Sequence, residues 1–170
     1  ELTGAVFIIV LGFVLHFAYE WLNGWTPAAI FAAVNESVWE HLKLAFWPAL
    51  LFTVVEISVL NRTDCSFWAA KTAGLYIMPA VIIVLFYSYT GILGYNLLAL
   101  DILTFIISVI IGQYVSYRIL VSPPLPAAVC TVAAVLILIA VVCFSIFTFY
   151  PPHIPLFRDP ITGGYGIIPS

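Results

Sequence analysis

The sequence predicts an all-α integral membrane protein: a five-transmembrane-helix bundle with a short interfacial helix after the first span and a non-helical C-terminal lid. Three observations carry this prediction. Mean hydropathy is +1.17. The composition is 64% hydrophobic and only 8% charged. The apolar residues fall in several runs of about 20, the number a helix needs to cross a hydrocarbon core. The connections between runs are too short for a soluble domain, so residues 1–149 form one membrane domain.

The first span runs from Leu2 to Trp21. In the link from Asn23 to Val34, Thr26-Pro27-Ala28-Ala29-Ile30 sets a cap residue before a proline at the first helical position. That pattern predicts a short interfacial or re-entrant helix. The second span, Glu36 to Leu60, contains Pro48, and the third, Phe67 to Tyr89, contains Pro79. Each proline is expected to bend its helix unless neighbours satisfy the carbonyl it frees. Tyr95 to Leu120 and Ala127 to Phe149 complete the five, separated by the breakers Asn61 to Ser66, Gly91 to Gly94 and Ser122 to Pro126. The tail, residues 150–170, is too rich in proline and glycine for a helix and too apolar for a solvated end. It is expected to fold back over the bundle mouth, turning at Asp159-Pro160 and Gly163-Gly164.

An odd number of spans puts the two ends on opposite faces. The chain opens Glu1-Leu2 without a methionine, which leaves the native N-terminus open, so orientation is read from the loops. With the N-terminus cytoplasmic, Arg62, Lys71 and Arg118 lie inside and Arg158 outside, as the positive-inside bias favours. This describes a multi-pass cell-membrane protein whose polar cluster faces outward. A net charge of −3 gives no sign of a nucleic-acid partner. Cys65, Cys130 and Cys143 lack metal-ligand spacing. Two lie near the face read as cytoplasmic and one inside a span, so free thiols are expected.

Between Asn35 and Lys43 the chain reads Asn-Glu-Ser-Val-Trp-Glu-His-Leu-Lys and runs directly into an apolar span. Ionisable groups at membrane depth are costly and by default functional. The topology brings His16, Glu20, Glu36, Glu40, His41, Asn96, Asp101, His153 and Asp159 to one membrane surface. His16, His41 and Asp101 each lie five or six residues inside a helix end, roughly 8 Å below that surface. His16 and Glu20 share a helical face, as do Glu36 and Glu40, and Ser37 and His41. Imidazole with carboxylate suits a divalent metal, zinc first, then manganese or iron. His16 and His41 with a third ligand from Glu20, Glu40 or Asp101 form the expected set, though no HExxH motif is present. A purely structural account pairs Glu40 with Lys43, sets Glu36 against the helix dipole and makes Asn35 the cap. That account leaves two intramembrane histidines and Asp101 unexplained.

Residues Asn35 to Lys43 and His153 to Gly166 carry two separated motifs, Asn-Glu-Ser-x-Trp-Glu-His-x-Lys and His-Ile-Pro-x-Phe-x-Asp-Pro-x-Thr-Gly-x-Tyr-Gly. In these the chain resembles an uncharacterised family of small bacterial multi-pass membrane proteins with no assigned function. The resemblance supplies no activity, cofactor or substrate. It implies that the cluster and the tail act as one unit.

Three functions are compatible with these residues. The leading one is a metal-dependent intramembrane hydrolase or transferase acting on a lipid or other apolar substrate. Its metal would sit on His16, His41 and a carboxylate, with Glu36 or Glu40 as general base. Supporting parts would come from Asn35, Ser37, Lys43, Asn96, His153 and Asp159. Ser37, His41 and Asp101 could also be arranged as a nucleophilic triad, but no nucleophile elbow accompanies them. The second function is proton-coupled transport or small-solute or cation binding, its far half running past Glu56 and Gln113, with a homodimer able to supply more of the lining. The third is haem or quinone binding through His16 and His41.

Overall fold

The computed structural model describes residues 1–168. The described chain is helical, with α1 Leu2–Trp21, α2 Val38–Leu60, α3 Cys65–Leu93, α4 Leu98–Leu120 and α5 Ala127–Phe149. All five are long and apolar enough to cross a membrane. Two short 3-10 turns, Thr26–Ile30 and Pro155–Phe157, complete the element order. The first begins at the predicted threonine–proline pair.

Local chemistry sets the helix ends. Asp64 caps α3 by accepting from the backbone N–H groups of Ser66 and Phe67, both at 3.1 Å. At the far end Gly94 adopts φ +80°, a left-handed stop that glycine takes without strain. These two signals lengthen α3 by two residues at its start and four at its end relative to the hydropathy reading. Ser37 caps α2, accepting from Glu40 N, so that helix starts at Val38 and Glu36 lies outside it.

Helix α3 touches α2, α4 and α5, while α1 packs on α2 and α4. Lipid offers no hydrophobic gain for bringing helices together, so close approach depends on small residues. Gly74 and Gly112 let α3 and α4 meet with backbone oxygens about 3.5 Å from where a side chain would start. Gly12 does the same for α1 and α2, facing the carbonyl of Leu44. That carbonyl lacks its usual helical donor because residue 48, four positions on, is proline. Ile8, Leu42, Phe46, Met78 and Val109 fill the centre.

Two expectations are corrected. Cys65 and Cys130 form a disulfide rather than free thiols, their Cα atoms 4.8 Å apart. The starts of α3 and α5 meet at one surface, a proximity that 65 intervening residues conceal in the sequence. Cys143 is free, as expected. Lys71, counted as a loop charge, is instead buried and paired with Glu1 and Glu56.

The tail folds onto the bundle. Phe157 is buried with its ring 4.5 Å from Trp39 and 5.7 Å from Phe147. Asp159 organises the turn, accepting from Ile161 N, Thr162 N and the Thr162 hydroxyl. Asn35 Nδ2 donates to the Gly166 carbonyl at 2.8 Å, tying the tail to the chain just before α2.

Candidate metal centre

The site is built where α1 ends and α2 begins. Asn35 Oδ1 accepts from Ser37 N at 2.8 Å, and the Ser37 hydroxyl accepts from Glu40 N at 3.4 Å. Asn35 therefore fixes the turn and Ser37 is the cap, reversing the cap assignment expected for Asn35. The spacing Ser37-Val38-Trp39-Glu40 is that of a capping box, the signal that would have placed the boundary correctly. Because Glu36 lies outside the helix, it does not share a face with Glu40.

The two glutamates go separate ways. Glu40 is 1% exposed, with Oε2 2.5 Å from Lys43 Nζ and 3.0 Å from Val34 N. Lys43 also donates to the Ala29 carbonyl at 2.7 Å and to Thr148 Oγ1 at 3.0 Å. An ammonium has three donors, and all three are engaged. Glu40 and Lys43 thus lock α2 to the 3-10 turn and to α5, which leaves Glu40 no free geometry for general-base work.

Glu36 instead turns toward the histidines. Its Oε2 lies 3.5 Å from His41 Nε2 and 3.8 Å from His16 Nε2, and the two Nε2 atoms are 3.3 Å apart. The circle through these three atoms has a radius of about 2 Å, the length of a zinc–nitrogen or zinc–oxygen bond. Such a group can hold a metal ion. His41 Nδ1 lies 2.9 Å from the Ser37 carbonyl, a contact that requires Nδ1–H to donate and leaves a lone pair on Nε2. Ring orientation by a backbone carbonyl is a common outer-shell feature of metal-binding histidine. His16 Nδ1 is buried without a hydrogen-bond partner. The imidazoles are about a quarter to a third exposed and Glu36 is 44% exposed, so one side of the group is open.

The third ligand-type oxygen therefore comes from Glu36, not from Glu20, Glu40 or Asp101. Glu20 is exposed and outside the group. Asp101 accepts from the Tyr89 hydroxyl and from Asn96 Nδ2, which occupies both residues within the α3–α4 hairpin. Ser37 is 1% exposed and serves as a cap, not as an accessible nucleophile. His153 packs against Tyr165 with ring centres 4.5 Å apart and the planes tilted by 39°, and Asp159 is spent on its own turn. The tail's polar residues thus shape the tail, and its link to the site runs through Asn35.

Exposed aromatic rings lie beside His16 and along the chain that follows it. Phe17 lies 4.8 Å from His16 and 5.8 Å from Trp21, and Trp25 and Phe31 are also exposed nearby in sequence. Aromatic side chains of this kind collect at membrane–water boundaries.

Comparison with curated proteins and with solved structures returns no match. The family model described as a family of unknown function, DUF6512, matches residues 2–167, and the chain belongs to that family.

Proposed function

We propose that His16, His41 and Glu36 hold a divalent metal, zinc in the first instance, and that the protein is a metal-dependent hydrolase or transferase acting on a lipid or other apolar substrate. The observation that carries this reading is the convergence of two Nε2 atoms and one carboxylate oxygen, with His41 oriented by the Ser37 carbonyl. Three protein ligands with an open side are the pattern of catalytic rather than structural zinc. When bound, the ion supplies Lewis-acid activation of water. Glu36 would hold the ion through Oε2 and bring one negative charge to the group, with the open side left for water and substrate. The exposed rings of Phe17 and Trp21 give an acyl chain a path from the bilayer to His16.

The two motif stretches are proposed as this family's signature in bacterial cell membranes, with Asn35 joining the cluster to the tail. Orientation follows from the disulfide, because such bonds persist in oxidising compartments. Lys71 is neutralised internally and Arg62 is paired with Asp64 at 2.5 Å, leaving Arg118 against Arg158. The charge bias then balances, and the Cys65–Cys130 face is assigned to the outside. The histidine site accordingly faces the cytoplasm, opposite to the orientation expected from charge.

The test is metal content of gently purified protein, then lipid ester and amide hydrolysis with the metal restored. Near-stoichiometric metal lost in both His16→Ala and His41→Ala supports the reading; metal-free wild type that takes none up refutes it. Cation transport is the second reading, favoured by the separate ionic cluster around Lys71 at the other end of the bundle. Metal-independent, pH-driven solute flux in liposomes would select it. Bis-histidine haem ligation does not suit a 3.3 Å nitrogen separation, because a macrocycle must lie between the rings.

A further inference from the structure

We infer that the folded-back tail carries a second binding site, a cleft around Arg158 that takes the phosphodiester of a membrane phospholipid. The chain has five lysine and arginine residues. Three are neutralised: Lys43 by Glu40, Arg62 by Asp64, and Lys71 within its buried cluster. Arg158 is exposed and has no carboxylate partner among the described residues. Its surroundings nevertheless fix where it lies. Arg158 and Tyr165 face each other in an isolated antiparallel bridge, which puts their side chains on one face. Asp159 N donates to the Gly164 carbonyl and Gly163 N to the Asp159 carbonyl, both at 2.9 Å, closing the turn between them. Gly163 has φ +73°, and a Cβ there would stand 3.3 Å from a guanidinium nitrogen of Arg158. The guanidinium therefore lies across the turn. Asp159 is buried, and its carboxylate accepts from the turn's own donors. The charge left to the open face is that of Arg158.

Two further observations select the ligand. Pro155, Arg158, Asp159, Pro160 and Tyr165 line a cleft of about 410 Å³, in the size range of sites for organic ligands and larger than a free inorganic anion needs. Its rim is apolar: Ile161 is 77% exposed, and Ile154, Pro155 and Pro160 are exposed as well. The tail is seated at the end of α5, with Gly166 against the Thr148 carbonyl and Phe157 against Phe147, so this rim lies at a membrane surface. A guanidinium fork matches two oxygens of a phosphate. An arginine ringed by exposed isoleucine and proline suits an anion joined to acyl chains, whereas a soluble anion would leave those side chains uncovered. The cleft reaches the histidine face through Gly166, whose carbonyl accepts from Asn35. It shares no residue with the metal group and does not depend on it.

Native mass spectrometry of the purified full chain in detergent, titrated with phosphatidylglycerol, tests the site. The expected result is one lipid held per chain ahead of further, weaker adducts. Diacylglycerol, with the same chains and no phosphate, should not take that place. Arg158→Ala should lower the affinity for the first lipid about tenfold or more, the loss of charge-assisted hydrogen bonds. Arg158→Lys keeps the charge without the fork and should fall between the two. Arg118→Ala removes the other arginine that lacks a carboxylate partner among the described residues, at the far end of the bundle, and should bind as wild type, as should His16→Ala. Unchanged proteolysis after Tyr150 in Arg158→Ala shows that the tail is still seated; if it is not, Arg158→Lys decides, and wild-type affinity there overturns the inference. No tightly held phospholipid on folded, monodisperse wild type overturns it too, as does diacylglycerol held equally well, or equal losses in Arg118→Ala and Arg158→Ala. Displacement of the lipid by inorganic phosphate would make the ligand a free anion, and loss of binding in His16→Ala would place the lipid at the metal group; either result refutes the assignment.

Discussion

One methyl group added at Gly12 should weaken metal binding at the proposed His16–His41–Glu36 centre, which it never touches. The Cβ of Gly12→Ala would lie 2.6 Å from Phe105 Cζ and 2.8 Å from the Leu44 carbonyl oxygen, where ordinary contact begins at 3.4 Å. A phenylalanine ring can turn aside, but the carbonyl belongs to the backbone of α2. Helix α1 must therefore retreat by about 0.6 Å, at the cost of about 1–3 kcal/mol typical of overpacking. His16 stands one turn further along the same face of α1. A shift of that size takes the nitrogen–nitrogen distance from 3.3 Å to about 3.9 Å and the circle through the three ligand atoms beyond a zinc bond length. Zinc affinity should fall about 10–100-fold, the scale seen when a metal centre's supporting contacts are lost. The assay is zinc titration against a chromophoric chelator, with thermal unfolding measured alongside. Gly91→Ala is the control, since a Cβ there meets nothing within 4 Å. Wild-type affinity in a folded Gly12→Ala protein would refute the claim that the α1–α2 contact builds the site.

Lys43→Met leaves the Glu40 carboxylate buried without its ammonium and should destabilise the protein by about 3–5 kcal/mol. Adding Glu40→Gln should restore part of that loss in thermal unfolding, and no restoration would contradict the pairing. Cys130→Ser should cost about 2–4 kcal/mol under oxidising conditions, a difference that disappears when wild type is fully reduced. Asn35→Ala frees the Gly166 carbonyl and should speed proteolytic cleavage of the segment after Tyr150; unchanged cleavage would mean that the tail is held elsewhere. Arg62 and two helix N–H groups hold the Asp64 carboxyl below its usual value. Its stabilising contribution is therefore complete above the unfolded aspartate value, about 3.9, and is lost as pH falls through the lower folded value. Asp64→Asn keeps a cap but should flatten the acid-side decline in melting temperature.

The five spans were legible because each is an apolar run bounded by polar or glycine breakers, and hydropathy needs no tertiary information. The two histidines were legible for a related reason: topology and depth alone bring His16 and His41 to one layer. Which carboxylate joins them was not, because that depends on a boundary. Two residues separate a helix beginning at Glu36 from one beginning at Val38, and that shift sends Glu36 to the histidines and Glu40 to Lys43. The Ser37–Glu40 capping spacing was the available clue. Lys71 misled because a lysine near a helix start is ordinarily a surface charge. Glu56 lies just across the short α2–α3 link, a neighbour that sequence order does supply, but Glu1 precedes α1, which sequence order does not place beside α3, and the same holds for Cys65 and Cys130.

X-ray absorption spectroscopy on zinc-loaded protein in detergent, for wild type and for Glu36→Gln, tests the metal centre most directly. The account predicts one tightly held ion with two imidazole nitrogens at about 2.0–2.1 Å and oxygen donors at about 2.0–2.2 Å. It also predicts a weakened first shell in Glu36→Gln while both imidazoles remain. An ion bound without imidazole scattering, or a spectrum unchanged by Glu36→Gln, would contradict the assignment of His16, His41 and Glu36 as the ligands.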